Sequence, residues 1–199
     1  KSLGVSGAGC TWGMGEFWTL TQEERTKFYD IVADESNGNM LSAAHVSHTS
    51  EKQMLKVANK LGSGLVNNLN QNFIIYLKGE LGSGKTTFSK GLIKGMGYQE
   101  LITSPTFSII ERIETIEFYI LHIDLYRIER PEEIIELELH EEPNNEKPTV
   151  MIIEWPERSH DLILPADIVI SFDMTNEINE RSIELLSQTN KLGNKIDFR

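Results

Sequence analysis

The chain has 199 residues, a formal net charge of −11 and a single cysteine, Cys10. Its length suits one domain or one domain with an appendage, and its apolar content is ordinary for a globular protein. No apolar run approaches the roughly 20 residues of a membrane-spanning helix, and one thiol cannot form an internal disulfide. These features exclude a disulfide-rich secreted fold and predict a cytoplasmic protein without membrane contact. Because the chain is acidic, we expect no direct tight binding of nucleic acid by this chain alone.

Residues 1–40 differ in character from the rest and are assigned as an N-terminal extension of unclear status, followed by a domain over residues 41–199. A short helix is predicted over residues 20–33, with Thr21 at its N-cap. The glycine-rich run over residues 4–9 has the look of a phosphate loop, but no Lys-Ser/Thr pair follows it. We interpret that run as flexible backbone without chemistry.

Helical periodicity begins at residue 50, where Ser50 and Gln53 form a capping-box pattern. Residues 85–96 are typical of a second helix, and a short third helix is predicted over residues 132–139 after Pro131. His45 and His48, which precede the first of these helices, are assigned to a loop.

Strands are predicted between these helices from continuous or alternating apolar runs. Their ranges are 73–77, 107–113, 116–123, 149–153, 166–172 and 181–186, with a tight turn at 114–115 between the second and third. The order of elements predicts an α/β fold in which a mixed β-sheet is flanked by helices.

A glycine-rich segment joins the strand over 73–77 to the helix that begins at Lys85. It matches G-x-x-x-x-G-K-[ST] through Gly79, Glu80, Leu81, Gly82, Ser83, Gly84, Lys85 and Thr86. Glycines let successive backbone N–H groups point at phosphate oxygens, and the start of the helix adds unpaired N–H groups. The Lys85 ammonium can reach the β- and γ-phosphates, and the Thr86 hydroxyl can bind Mg²⁺. The sequence therefore predicts a nucleotide and Mg²⁺ site in a P-loop NTPase-like fold.

Two carboxylates end predicted buried strands, Asp124 after residues 119–123 and Glu154 after residues 150–153. A carboxylate at such a position is costly unless it is paired or bound to a ligand. Both are predicted as metal-supporting or catalytic residues, and the sequence leaves open which supports Mg²⁺ and which activates water. A structural role, such as an ion pair between Asp124 and Arg127, is the alternative.

Two further residues are candidates for the same site. Thr106 lies about 20 residues after the phosphate loop, where many P-loop hydrolases carry a threonine that senses the γ-phosphate and Mg²⁺. An ordinary loop position explains its spacing equally well. Trp155 follows Glu154 directly and is assigned to the core by default.

Residues 194–197 spell N-K-x-D, the guanine-specificity motif of GTPases. No buried strand precedes them and only two residues follow, so we interpret them as part of a C-terminal tail.

Several motifs occur in a known order. After the phosphate loop, which continues with Thr87, come Ser104-Pro105-Thr106-Phe107, His122-Ile123-Asp124-Leu125-Tyr126-Arg127, Pro131-Glu132-Glu133 and Glu154-Trp155-Pro156-Glu157-Arg158. Over roughly residues 41–186 the chain resembles the bacterial TsaE (YjeE) family. The resemblance implies a small cytoplasmic ATPase that serves threonylcarbamoyladenosine (t6A) modification at position 37 of tRNA. It implies a TsaB–TsaD heterodimer as partner, with the transfer chemistry in TsaD and ATP hydrolysis resetting the complex.

The resemblance also assigns the site. It makes Lys85, Thr86, Asp124 and Glu154 the nucleotide, metal and catalytic positions, and places Thr106 in a switch-like loop. It gives no role to residues 1–40.

Two other functions remain open. A stand-alone small-molecule kinase would also use a P-loop, but it would need arginines over the phosphates, and Arg112, Arg127, Arg130 and Arg158 are scattered along the sequence. A non-hydrolysing adaptor controlled by bound nucleotide is the third possibility.

Overall fold

The computed structural model describes residues 7–9, 41–174, 181–189 and 191, and of residues 7–9 and 41–49 it describes the backbone alone. Eight strands form one sheet in the order β1-β2-β8-β7-β3-β6-β5-β4. Their bounds are β1 Gly7–Gly9, β2 Leu41–Thr49, β3 Phe73–Gly79, β4 Ile110–Glu114, β5 Tyr119–Asp124, β6 Thr149–Glu154, β7 Ile168–Met174 and β8 Arg181–Ser187. The central strands β7, β3, β6 and β5 are parallel, while β4 and β8 pair antiparallel with their neighbours.

In the described part of the chain three α-helices accompany the sheet: α1 Glu51–Val66, α2 Lys85–Gly95 and α3 Pro131–Glu136. The predicted capping box at the start of α1 is confirmed, since the Ser50 side chain accepts from the Gln53 N–H and the Gln53 side chain accepts from the Ser50 N–H. A 3₁₀ turn, Pro156–Ser159, follows β6. These elements confirm the predicted α/β fold with a mixed sheet flanked by helices.

The alternation of side chains along the strands divides the core into two clusters, one on each face of the sheet. In β6, Val150 and Ile152 belong to the cluster that α1 and α2 cover, whereas Met151 and Ile153 belong to the cluster on the α3 side. By the same alternation Glu154, the last residue of β6, lies on the α2 face. Helix α2, which follows the glycine-rich loop, and the end of β6 are thereby brought together.

Glycines allow α1 and α2 to pack closely. A Cβ on Gly62 would lie 2.2 Å from the Leu92 carbonyl oxygen, and one on Gly95 would lie 2.1 Å from the Asn59 carbonyl oxygen. The Ser63 hydroxyl donates across this contact to the Gly95 carbonyl, at 3.0 Å. The packing fixes α2, and with it the start of the helix at Lys85, against α1.

Two predicted strands begin three residues later than expected, and β7 begins at Ile168 rather than at residue 166. The Ile109 N–H donates to the Pro105 carbonyl at 2.7 Å, and Ile109 has a φ of 64°, so residues 105–109 form a turn and β4 starts at Ile110. The Thr115 N–H and hydroxyl both donate to the Phe118 carbonyl, at 3.0 and 2.7 Å. The turn between β4 and β5 therefore extends to Phe118.

Three smaller predictions are wrong. Residues 7–9, interpreted as flexible backbone, form β1 and pair parallel with β2. His45 and His48, assigned to a loop, lie within β2. The third helix ends at Glu136 rather than 139, because the chain tightens into 3₁₀-type bonds there, with the Leu137 N–H donating to the Ile134 carbonyl.

The predicted helix over residues 20–33 and the N-K-x-D sequence at 194–197 lie outside the described residues. Division of the chain at residue 40 stays a prediction. None of the helices in the described part of the chain has the length and hydropathy of a transmembrane span.

Candidate functional site

The glycine-rich loop connects β3 to α2, as predicted. Gly79, Gly82 and Gly84 have φ values of 148°, 76° and 106°, a region that other residues rarely adopt. No side chain caps α2 at Gly84, and its first turn contains no acidic residue. No side chain of the described residues caps the N–H groups at the start of α2. These groups form the positive end of the helix dipole. This arrangement suits an anion.

The loop itself has room for a ligand at its tip. Gly82 is exposed, and among the described residues a Cβ there would meet the Met174 methyl carbon alone, at 3.9 Å. The Ser83 hydroxyl is buried and has no hydrogen-bond partner among the described residues. Glu80 and Leu81 are exposed, with Leu81 at 66%.

Lys85 is buried in the loop, with 4% of its surface exposed. Its ammonium donates to the carbonyls of Gly79 and Glu80, at 2.5 and 2.9 Å. Burial lowers the pKa of Lys85 from its usual value, and the nearby carboxylates of Glu154, Glu157, Asp124 and Glu80 oppose this shift. The ammonium has three N–H donors, so one is not used by these two hydrogen bonds.

Glu154 is the centre of a buried hydrogen-bond network, with 1% of its surface exposed. The Thr86 hydroxyl donates to its Oε2 at 2.8 Å. Its Oε1 lies 3.0 Å from the Ser89 hydroxyl and 2.8 Å from Nε2 of His122. Glu154 therefore connects the end of β6 to the first turns of α2 and to β5.

Asp124 lies beside Glu154 but has different partners. The two residues are register partners on the adjacent parallel strands β5 and β6. One carboxylate oxygen of Asp124 accepts from the Thr106 hydroxyl at 2.8 Å, and the other accepts from the Tyr126 N–H at 3.0 Å. The structure thus joins Thr106 to this site. The contacts of Asp124 run to Thr106 and Tyr126 rather than to Arg127, whose guanidinium lies 5.1 Å from the Phe107 ring.

Trp155 packs against the core cluster on the α3 face, as the default assignment expected, but only in part. It is half-buried at the edge of the core, with a φ of 60°, and its N–H donates to the Leu77 carbonyl at 3.2 Å. Its ring lies 3.7 Å from the Lys85 ammonium, a cation–π contact, and 5.0 Å from the ring of Tyr126. The ring therefore lies between the edge of the core and the lysine of the glycine-rich loop.

Two arginines that are distant in the sequence line one cavity. Arg127 and Arg158 border a volume of about 410 Å³ together with Tyr126 and Glu129. Arg158 lies over the Tyr126 ring at 5.9 Å. The four arginines are scattered along the sequence, and two of them nevertheless line the same cavity.

Comparison with known proteins gives the family. The model of the family described as "Threonylcarbamoyl adenosine biosynthesis protein TsaE" matches residues 48–183. The chain belongs to the TsaE family. A TsaE protein of Haemophilus influenzae, named tRNA threonylcarbamoyladenosine biosynthesis protein TsaE, is 34% identical over 147 residues, which cover 73% of this chain and 90% of that protein. A TsaE of Rickettsia felis is 36% identical over 140 residues, covering 70% and 79%.

A solved structure supports the same fold. Bacillus subtilis YdiB superposes with a TM-score of 0.58 at 22% identity, covering 77% of this chain and 90% of that one. Membership of the TsaE family places the chain in the biosynthesis of t6A in tRNA.

The fold of this TsaE chain collects the residues that sequence reasoning singled out: the loop 79–86, Asp124, Glu154 and Thr106 all lie at one edge of the sheet. Thr87, half-buried, lies in the first turn of α2. Sequence reasoning gave no role to His122 or Ser89. The spacing could have indicated both residues. His122 precedes Asp124 by two residues, which puts them on one face of a strand, and Ser89 follows Thr86 by three, which puts them on one face of a helix.

Proposed function

We propose that this chain is an ATP-binding and ATP-hydrolysing accessory subunit for t6A modification, acting on a TsaB–TsaD complex in the cytoplasm. The observation that carries the proposal is the hydrogen bond from Thr86 to Glu154 at the mouth of the glycine-rich loop. In P-loop NTPases a hydroxyl after the loop lysine and a carboxylate at the end of a nearby strand together support Mg²⁺. Both residues are at those positions here.

The residues fit a Mg·ATP ligand. Uncapped N–H groups at α2, the unpartnered Ser83 hydroxyl and the spare Lys85 donor all offer hydrogen bonds to anionic oxygens. Mg²⁺ is commonly bound through one or two carboxylates together with substrate phosphates. When bound, it would neutralise phosphate charge and orient the triphosphate for hydrolysis.

The different partners of the two carboxylates support a division of their roles. Glu154 accepts a hydrogen bond from the Thr86 hydroxyl and is proposed as the carboxylate that supports Mg²⁺. Asp124 is bound to Thr106 and is proposed to orient the attacking water, with Thr106 responding to the γ-phosphate. Lys85 is proposed to bind the β- and γ-phosphates, and the Trp155 ring limits the positions open to its ammonium.

Phosphate release at steady state tests the proposal, with Mg·ATP and with or without purified TsaB–TsaD. We expect slow hydrolysis by the chain alone and a faster rate with the heterodimer. Glu154→Gln and Asp124→Asn should each abolish most turnover while retaining the fold. Normal hydrolysis by both variants would contradict the carboxylate assignment, and ATP binding without any hydrolysis would favour an adaptor.

A stand-alone small-molecule kinase is the second candidate, and the cavity lined by Arg127 and Arg158 is the observation that favours it. Arginines beside a phosphate loop can bind an anionic acceptor or a transferred phosphoryl group. Rapid transfer of the γ-phosphate to a small molecule, without TsaB–TsaD, would support the kinase. Phosphate release to water that rises with the heterodimer would exclude it.

A further inference from the structure

The two oxygens of the Glu154 carboxylate have different surroundings. Oε2 accepts from Thr86, which is half-buried at the loop, at 2.8 Å. Oε1 is contacted by Ser89 and His122, neither of which has any exposed surface. Oε1 is therefore the oxygen held inside the protein, and Oε2 is the oxygen that faces the phosphate loop.

The two groups that contact Oε1 differ in how firmly they hold it. The Ser89 hydroxyl has one proton but two acceptors within reach, Oε1 of Glu154 at 3.0 Å and the Lys85 carbonyl at 3.1 Å. Among the described residues, the partner of His122 Nε2 is Glu154 alone, at 2.8 Å. When the Glu154 carboxylate is ionised, as its proposed role beside Mg²⁺ requires, it can only accept, so Nε2 carries the proton of this hydrogen bond.

The second nitrogen of His122 makes no competing contact. Nδ1 is buried and has no hydrogen-bond partner among the described residues. Glu111 is the register partner of His122 on β4, but its Oε2 is also buried and unpartnered, so the two groups do not bond to each other. The neutral tautomer with the proton on Nε2 leaves no buried N–H unpaired, which is the less costly arrangement.

We propose that His122 is a positioning residue: it fixes Oε1 of Glu154 so that Oε2 is directed at Thr86. The inference rests on the proposed ATPase function of the same site. A polar ring inside an apolar core is costly unless its hydrogen bond is made. The neighbouring core positions of β5, Ile120 and Ile123, are aliphatic. Glu154 is the hydrogen-bond partner of the imidazole among the described residues, so this contact distinguishes position 122 from the aliphatic core positions of the strand.

The test compares two substitutions at this position in the full chain. His122→Leu keeps an apolar side chain of comparable size and removes the donor. His122→Gln supplies an amide N–H at about the distance of Nε2 from the backbone. His140→Gln is the matched control, because His140 is exposed and lies outside the site. Each variant is assayed for kcat and KM for ATP, for its Mg²⁺ requirement and for its melting temperature.

We expect His122→Leu to lower kcat, or to raise the Mg²⁺ concentration for half-maximal activity, by about 10- to 100-fold, the usual effect of losing a residue that orients a metal-supporting side chain. KM for ATP should change little, because the phosphate loop is intact. His122→Gln should recover most of the loss, and His140→Gln should match the wild type. Equal impairment of the Leu and Gln variants, with both folded, would overturn the proposal, as would wild-type kinetics for His122→Leu.

A measurement that needs no turnover tests the hydrogen bond directly. In ¹⁵N-histidine-labelled protein, the resonances that disappear in His122→Gln belong to His122. We expect the ¹⁵N chemical shifts of these resonances to show a neutral ring protonated at Nε2, and to change in Glu154→Gln. A ring protonated at Nδ1 alone would overturn the proposal. This readout also applies if His122→Leu does not fold. Absence of hydrolysis by the wild type would reject the proposed function, whereas the tautomer would still decide whether His122 donates to Glu154.

Discussion

Replacing Lys85 with methionine removes the one ammonium group buried in the glycine-rich loop while leaving a flexible apolar chain of similar length. Two of the three N–H donors of Lys85 are used by the Gly79 and Glu80 carbonyls. The third N–H can donate to a bound phosphate, and this one hydrogen bond is the least that Lys85 would contribute to ATP binding. One hydrogen bond to a charged group contributes about 1.5–3 kcal/mol, and each 1.4 kcal/mol is about tenfold in affinity. Lys85→Met should weaken ATP binding by at least about 10- to 100-fold.

The same substitution should have little effect on folding. Burial disfavours the charged form of Lys85, which lowers its pKa, so removing the charge relieves a cost that offsets the two lost hydrogen bonds. We expect the melting temperature to change by about 4 °C or less, since 1 kcal/mol corresponds to about 2–4 °C in a domain of this size.

Isothermal titration calorimetry with Mg·ATP measures the affinity. Lys94→Met is the matched control, because Lys94 lies near the end of the same helix, exposed and remote from the loop. A dissociation constant for Lys85→Met within threefold of the wild type would refute the reasoning. Equal weakening by Lys94→Met would show that net charge, rather than the position of the ammonium, controls binding.

Three further predictions concern the loop and its surroundings. Thr106→Ala removes the hydroxyl that donates to Asp124, so Mg·ATP should no longer protect residues 101–109 from limited proteolysis; protection equal to the wild type would exclude a sensor role. Gly84→Ala places a Cβ 2.9 Å from the Met54 methyl carbon at a φ of 106°. Gly97→Ala is the control, because Gly97 has a similar φ of 98° and a Cβ there would have no described atom within 4 Å. Denaturant unfolding should show a larger loss of unfolding free energy for Gly84→Ala than for Gly97→Ala. The backbone cost shared by both is about 1–2 kcal/mol, and identical losses would show that the Met54 contact is unimportant. ATP affinity should fall as pH rises through the pKa of Lys85, because the protonated ammonium is the binding form. Since burial lowers this pKa, the fall should begin at a lower pH than for an exposed lysine. An ATP affinity that calorimetry finds constant across that pH range would contradict this prediction.

The glycine-rich loop was predictable because its signals are local. Its glycines are spaced for a left-handed backbone, a continuous apolar run precedes it, and a helical periodicity follows it. Each signal lies within a few residues, and each describes a backbone conformation rather than a distant contact. The buried strands 73–77 and 149–153 were predicted for the same reason, since their runs are apolar without interruption and both became central strands.

Contacts between distant residues could not be read in the same way. Arg127 and Arg158 meet at one cavity because the chain turns after β6, and no spacing in the sequence shows that turn. Trp155 was assigned to the core by default and does pack against it in part, but nothing in the sequence shows that the same ring lies 3.7 Å from the Lys85 ammonium. The late start of β4 depends on a hydrogen bond between Ile109 and Pro105, which a strand pattern does not reveal.

The alternation of side chains along β5 and β6 places the other site residues on the same face as the helix that follows the loop. His122 and Asp124 are two residues apart on β5, so they share a face, and Glu154 is the register partner of Asp124 on β6. All three therefore face α2, whose first turns supply Thr86 and Ser89. A shift of β5 by one residue would move His122 and Asp124 to the α3 face together and would leave Glu154 with the α2 hydroxyls alone. The geometry of the site thus depends on the register of β5 against β6 as strongly as on the glycines of the loop.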